Sequence, residues 1–303
     1  MAMRTSLTFL PRRFIPLFLL IFLGLTACGT LLGPTISPTH ISPSLTPAPP
    51  TQTPVPMAAI VNNEGITVAE YQAELDRYQA SQTALGNSVS PEEASQRVIN
   101  DLVDQMLLAQ GARAAGFEVN DAVLQPRLDA LTEKAGGVDA LAAWQSAHGY
   151  TSETFRETLR WAIAAAWMRD QVIAEVPMTI AQVHVKQILL YNEDKARKVM
   201  EQIQSGAEFE ALASMYDPLT RGDLGWFPKG YLLESKIEDV AFSLQPGEIS
   251  DVIVTDVGYH IIKVLESDPQ HLLSPDARLT LQNLALKDWL RQKRQQSTIV
   301  LSL

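Results

Sequence analysis

The chain has 303 residues, 46% hydrophobic and 19% charged, which suits a globular protein of one to three domains with its own core. Its formal charge is −10; without Arg4, Arg12 and Arg13 near the start, 21 basic residues face 34 acidic ones, about −13. A balance that acidic argues against nucleic acid as a partner, because Lys and Arg on phosphates supply most of that affinity. The single cysteine, Cys28, cannot form an intramolecular disulfide, and a domain that buries a core needs none even in an oxidising compartment.

The three arginines precede an apolar run, Phe14–Leu25, with the layout of a secretory signal. The run is short for a bilayer span, which takes roughly 20 apolar residues. It ends in Leu25-Thr26-Ala27-Cys28-Gly29, which resembles a bacterial lipobox. In such signals the cysteine thiol takes a diacylglyceryl group and becomes the new N-terminus, and two or more acyl chains then hold the protein at the membrane. The alternative is an uncleaved anchor helix with an incidental cysteine. Residues 1–27 are therefore expected to be a signal peptide, with Cys28 lipidated at the extracytoplasmic face of the bacterial cell membrane. Gly29 to Met57 holds eight prolines and no charged residue. It is expected to be an extended tether over 28–57, reaching on the order of 90 Å at about 3.1 Å per residue.

Helical signals run from about Ile60 to Thr179. Thr67-Val68-Ala69-Glu70 and Ser90-Pro91-Glu92-Glu93 both read as capping boxes, the second with proline at the tolerated first position. Val98, Leu102, Met106 and Ala109 recur at helical spacing until Gly116. Shorter helices are expected near Asp121–Glu133 and Val138–Ala147. A long one follows Thr151, with Phe155, Leu159, Ile163, Trp167 and Val172 as its core stripe. His148, beside Gly149, reads as a surface or helix-end residue, and Met106, Trp161 and Trp167 as core. No metal-ligand spacing and no phosphate-binding glycine loop appears.

From Ala181 to Glu266 the texture turns to short strands mixed with helices. Val183–Leu190 reads as a strand. Ala196, Val199, Met200 and Ile203 mark a helix that Gly206 ends, and Phe209, Leu212, Ala213 and Tyr216 a second. Arg221–Gly230 has too many glycines for a regular element and is expected to be a loop. A helix over Ser235–Leu244, a turn at Pro246-Gly247 and strands near Ile249–Val254 and Tyr259–Leu265 complete the region. His260 alternates with Ile262 and Val264 on one strand face. Beyond it, Ser274–Gln296 reads as a helix that ends in Arg291, Lys293 and Arg294, charges suited to a helix C-terminus. Ile299-Val300-Leu301 reads as a closing strand.

Four blocks in this order, Val183–Leu190, Arg221–Gly230, Glu238–Ser250 and Thr255–Val264 with its Gly258-Tyr259-His260-Ile261-Ile262, resemble the parvulin family of peptidyl-prolyl isomerases. Val61–Thr67 resembles, more faintly, the start of the SurA-like and PrsA-like N-terminal chaperone region. The resemblance implies an α+β protein. A helical SurA-like chaperone region (58–180) would precede a parvulin domain (181–268), a small antiparallel sheet flanked by helices. A C-terminal helix (269–303) would pack back on the helical region. It implies an apolar cup for the proline ring made of Leu224, Phe227, Leu233 and Ile237, with His260, Asp217 and Gln187 as the polar, catalytic side. Many parvulins carry a histidine where this chain has Gln187; glutamine donates and accepts hydrogen bonds but carries no charge. His184 falls on the opposite strand face, and Val257 replaces a serine of one branch. No cofactor and no metal is implied.

The expected function is peptidyl-prolyl isomerisation as a foldase for exported proteins, with unfolded or partly folded polypeptides bearing Xaa-Pro bonds as partners. The alternative within the same fold is a client-binding chaperone that turns over no bonds. A solute-binding lipoprotein would share the lipobox and tether but calls for two α/β lobes, which the helix-rich first half opposes.

Overall fold

The computed structural model describes residues 55–302; the expected signal, Cys28 and most of the expected tether lie outside the described residues. The described part opens with β1 (Met57–Val61) and β2 (Glu64–Thr67), an antiparallel hairpin. Asn62 and Asn63 form its turn at φ 50° and 71°, the left-handed region that asparagine tolerates better than most residues.

Thr67 ends the hairpin and caps α1 (Val68–Ala84). Its hydroxyl accepts the Glu70 N–H while the Glu70 carboxylate accepts the Thr67 N–H, the capping box read from the sequence. Ser90 and Glu93 do the same for α2 (Pro91–Ala114). Three further helices follow: α3 (Asp121–Ala135), α4 (Val138–Ala147) and α5 (Ser152–Ala174). His148 is the C-terminal cap of α4.

Val98, Ile99, Val103, Met106 and Leu107 of α2 pack under Ala58, Ala59, Val61 and Ile66 of the hairpin. Farther along, α2 and α5 meet through Ala109, Ala112 and Ala164. This corrects the expected stripe on α5. Phe155 and Val172 are buried, but Leu159, Ile163 and Trp167 are only half-buried, and the buried mid-helix positions are Ala164 and Ala165. Methyl side chains at the crossing let the two helices approach closely, which pushes larger residues to the flanks. Trp167 there stacks on Phe117, ring centres 4.7 Å apart.

The second half is built on β3 (Thr179–Leu190), α6 (Glu193–Gln204), α7 (Phe209–Tyr216), β4 (Asp223–Pro228), α8 (Ser235–Ala241), β5 (Ile253–Val254) and β6 (Tyr259–Leu272). The strands form one antiparallel sheet in the order β4-β3-β6-β5. Val183, Val185, Ile262 and Val264 face a cluster with Phe227, Ile237, Ala241 and Ile253. Ile188, Leu190 and Ile261 face the opposite way, against Ala196, Val199, Phe209 and Ala213 of α6 and α7.

Arg221–Gly230 is not a plain loop, since Asp223–Pro228 is a strand paired along β3. The glycine just ahead of it makes a close contact across the sheet. Gly222 (φ +71°) sits where a β-carbon would lie 2.1 Å from the Gln187 carbonyl oxygen, and its own carbonyl accepts the Gln187 N–H at 2.8 Å. The other differences are of length: α8 stops at Ala241, β5 has two residues, and β3 and β6 extend beyond the expected limits.

The chain ends in α9 (Pro275–Gln296), capped by Ser274, and β7 (Ile299–Leu301). From α9, Arg294 donates to Asp104 at 2.6 Å and to the Asn100 carbonyl at 3.0 Å, both on α2. Strand β7 pairs with β1, completing a three-stranded sheet in the order β2-β1-β7. No helix among the described residues is long and apolar enough to cross a membrane.

Candidate active site

His260 stands near the start of β6, paired across the sheet with Leu189 of β3 and Ile253 of β5, and it is 3% exposed. Both ring nitrogens are engaged. Nδ1 lies 3.1 Å from Gln187 Oε1 and Nε2 lies 2.9 Å from Thr255 Oγ1. The amide oxygen only accepts, so Nδ1 carries the proton and Nε2 accepts from the threonine hydroxyl. The Thr255 oxygen in turn accepts the N–H groups of Val257 and Gly258, at 3.1 and 3.3 Å, which fixes the 255–258 turn against the histidine. Burial lowers the proton affinity of His260 below the ordinary imidazole value, with the Glu234 carboxylate acting in the opposite sense. A neutral ring satisfies this bonding pattern; a charged one would set a second N–H against a hydroxyl that already accepts two.

The structure brings Gln187 and His260 together, and it adds Thr255, for which the sequence reading had no role. Turn chemistry at Thr255–Gly258 is the signal that marks it, since a threonine ahead of Gly258 can accept the turn amides. His184 is on the other face, where its Nε2 lies 2.8 Å from Asp223 Oδ1 and its ring stacks on Trp226. Asp217 does not join the His260 network. Its carboxylate accepts the Thr220 hydroxyl and the N–H groups of Thr220, Leu219 and Gly222, which closes the turn ahead of β4. Those bonds, led by the Thr220 hydroxyl, hold its acidity above that of an ordinary aspartate.

Beside the histidine lies the apolar cluster that lines one sheet face. Phe227 is fully buried and Ile237 is 4% exposed, so both form its floor, while Leu224 is half-buried against it. Leu233 requires correction, because it is 103% exposed and touches none of this, whereas its neighbour Leu232 packs against the cluster. The cause is Glu238, itself buried at 5% exposure, whose two carboxylate oxygens accept the N–H groups of Gly230 (2.7 Å) and Leu232 (2.5 Å). That clamp aims Leu232 inward and leaves Leu233 in solvent.

An apolar cluster beside a neutral, fully bonded imidazole suits a ring-shaped aliphatic group with an adjoining amide. It offers no nucleophile. The helical half carries a different feature, a cleft of about 410 Å³ lined by Ile66, Leu102, Met106, Tyr150 and Trp161, with Glu70, Glu74 and Arg77 among its polar residues. Met106 and Trp161, expected in the core, thus border open space as well.

Known proteins share both halves. A family model described as a PPIC-type PPIASE domain (rotamase) matches residues 190–266, and a SurA-like N-terminal domain model matches residues 51–142. The foldase protein PrsA of Geobacillus kaustophilus is 29% identical over 188 residues, which cover 58% of this chain and 64% of that protein. Chaperone SurA of Nitrosococcus oceani is 26% identical over 246 residues, 69% of this chain and 58% of that protein. A crystal structure of the peptidylprolyl isomerase PrsA from Bacillus cereus aligns with 76% of this chain and 82% of its own at 22% identity, TM-score 0.43. The chain thus spans 58–64% of the length of the two curated relatives named. It carries a parvulin-type (PpiC) peptidyl-prolyl isomerase domain behind a SurA-like N-terminal domain.

Proposed function

We propose that the chain is a peptidyl-prolyl cis-trans isomerase and foldase for exported proteins, held by a lipid on Cys28 at the outer face of the cytoplasmic membrane. The observation that carries the catalytic part is the buried His260, bonded on both sides by Gln187 and Thr255, beside the apolar cluster of Leu224, Leu232, Phe227 and Ile237. A prolyl amide resists rotation by a barrier near 20 kcal/mol because resonance must be broken, and uncatalysed exchange takes tens to hundreds of seconds. A ring seated in an apolar, water-poor cup leaves the charge-separated planar amide poorly solvated, while the twisted amide, with less charge separation, loses less. Leu224, Leu232 and Ile237 would seat the ring over Phe227. His260 would support the twisted geometry, and Gln187 and Thr255 would hold its tautomer. Asp217 would act as a positioning residue for the Gly222 turn that carries Gln187. The anchoring part is supported by the lipobox-like run ending at the single cysteine.

The test is the catalysed cis-to-trans rate on short Xaa-Pro peptides, with the unaltered chain beside His260→Ala and Leu224→Ala. Catalysis lost in both variants, with circular dichroism unchanged, is the expected result. A second reading, a client-binding chaperone without turnover, is favoured by the 410 Å³ cleft in the helical half and by glutamine at 187. Suppression of client aggregation with no catalysed rate in the unaltered chain would establish it in place of the first.

A further inference from the structure

Of the side chains that make the cup, Leu224 and Phe227 are carried by β4 and Ile237 by α8. Leu232 stands apart, in the loop that joins those two elements. Neither strand pairing nor helix bonds reach it, so its place against the cluster needs another hold.

The loop is held from two sides. On the outer side Gly230 (φ +86°) lies against α9, where a β-carbon would sit 2.9 Å from Leu284 Cδ1. Tyr231 packs both on the cup cluster and on the seam of Val176, Leu273 and Ala277. On the inner side is Glu238, 5% exposed, whose carboxylate accepts the N–H groups of Gly230 at 2.7 Å and Leu232 at 2.5 Å. A buried carboxylate is costly unless donors satisfy it, so carboxylate and loop depend on each other. Without it, the two amides can be satisfied only by water, which draws the loop outward and takes Leu232 off the cluster.

We infer that Glu238 is a positioning residue for prolyl isomerisation, acting through Leu232 and touching no substrate itself, an assignment that rests on the isomerase reading of the cup. Leu232 seats the ring whether the amide is planar or twisted. Loss of the clamp therefore weakens peptide binding and leaves the rate on bound peptide nearly unchanged, a change in KM and not in kcat.

The experiment measures kcat and KM on short Xaa-Pro peptides for the full chain, Glu238→Gln, Leu232→Ala and the double variant. Glutamine keeps the shape of the carboxylate but turns an NH2 group on one of the two amides, which breaks half of the clamp. Each single change should raise KM roughly tenfold and leave kcat within about twofold, with circular dichroism unchanged. The double variant should be no worse than Leu232→Ala alone, because Glu238 has nothing left to position. Leu233→Ala, in solvent, should alter neither constant. A KM effect of Glu238→Gln that persists in full on top of Leu232→Ala overturns the inference. So does a Glu238→Gln protein that is less stable to urea but has the unaltered KM. Should Glu238→Gln not fold, Glu238→Asp, one methylene shorter, takes its place in the same cycle. If the unaltered chain isomerises no peptide, the isomerase reading fails on its own, and the same four proteins are compared by fluorescence anisotropy with a labelled proline peptide. Binding weakened by Glu238→Gln only while Leu232 is present keeps the positioning role, and any other pattern overturns that too.

Discussion

His260 shows how a single side chain ties structure to pH. Burial lowers its proton affinity in the folded state relative to an ordinary histidine near 6.5. Above about pH 6.5 the ring is neutral in both states, and its bonds to Gln187 and Thr255 contribute in full. As pH falls, the unfolded chain takes up the proton first, so the contribution is lost from about pH 6.5 downward, through the lower folded value. The same titration would remove the Thr255-to-Nε2 bond, since a protonated Nε2 cannot accept. Urea unfolding between about pH 7.5 and pH 5 should therefore show the stability advantage of the unaltered chain over His260→Gln shrinking as acid is added. Carboxylates with lowered proton affinity, such as Asp217 and Glu210, act in the acid range below this window and leave it readable. A constant difference between the two proteins across that range would show that the buried ring does not set the dependence.

At the scale of elements, what was legible in the sequence was what is encoded locally. Thr67 and Ser90 each reach only three residues ahead to close a capping box, so the starts of α1 and α2 were readable to the residue. Strand β4 was hidden because the glycine ahead of it answers to a partner 35 residues away: Gly222 is small so that the Gln187 carbonyl can pass, a fact about β3 that no window around position 222 contains. Leu232 and Leu233 could not be told apart for a similar reason, since Glu238 decides which one turns in. Within the candidate site, His260 and Gln187 stood out by pattern, whereas Thr255 acts through a turn folded back on β6. Gly222, just ahead of β4, and Gly225 within it allow a direct comparison. Gly225 (φ +69°) has open space where a β-carbon would go, so Gly225→Ala should cost about 1–2 kcal/mol, the conformational penalty alone. Gly222→Ala adds a backbone clash to the same penalty and should cost more than about 3 kcal/mol. It should also displace Gln187 and depress any prolyl isomerase rate, which Gly225→Ala should not do through that route. Equal costs in chemical denaturation would mean that β4 yields at Gly222 more readily than its pairing with β3 implies.

For the whole molecule, the decisive element is α9, because it closes the chain back on its own first half. Its start packs with Val176 and Leu273 beside the sheet, and its end reaches α2 through Arg294 and Asp104. Between these points Trp289 lies over Gly111 of α2; a β-carbon there would sit 2.8 Å from two ring carbons of Trp289 and 3.3 Å from Met168 Cγ. A glycine inside a helix ordinarily weakens it by about 0.8–1.0 kcal/mol relative to alanine, so at an open position Gly111→Ala would stabilise the protein. Here the overlap is relieved only if the Trp289 indole tilts away or α9 shifts. Steric overlap of this kind costs about 1–3 kcal/mol and outweighs the helix gain, which predicts that Gly111→Ala destabilises. Trp289→Leu alone should also destabilise, through lost burial. In the double variant the smaller leucine admits the new methyl group and the helix gain returns, so it should be at least about 1 kcal/mol more stable than the two single effects predict when added. Chemical denaturation of the four proteins measures that coupling. Strictly additive effects would show that the Trp289–Gly111 contact yields freely and does not lock α9 onto α2.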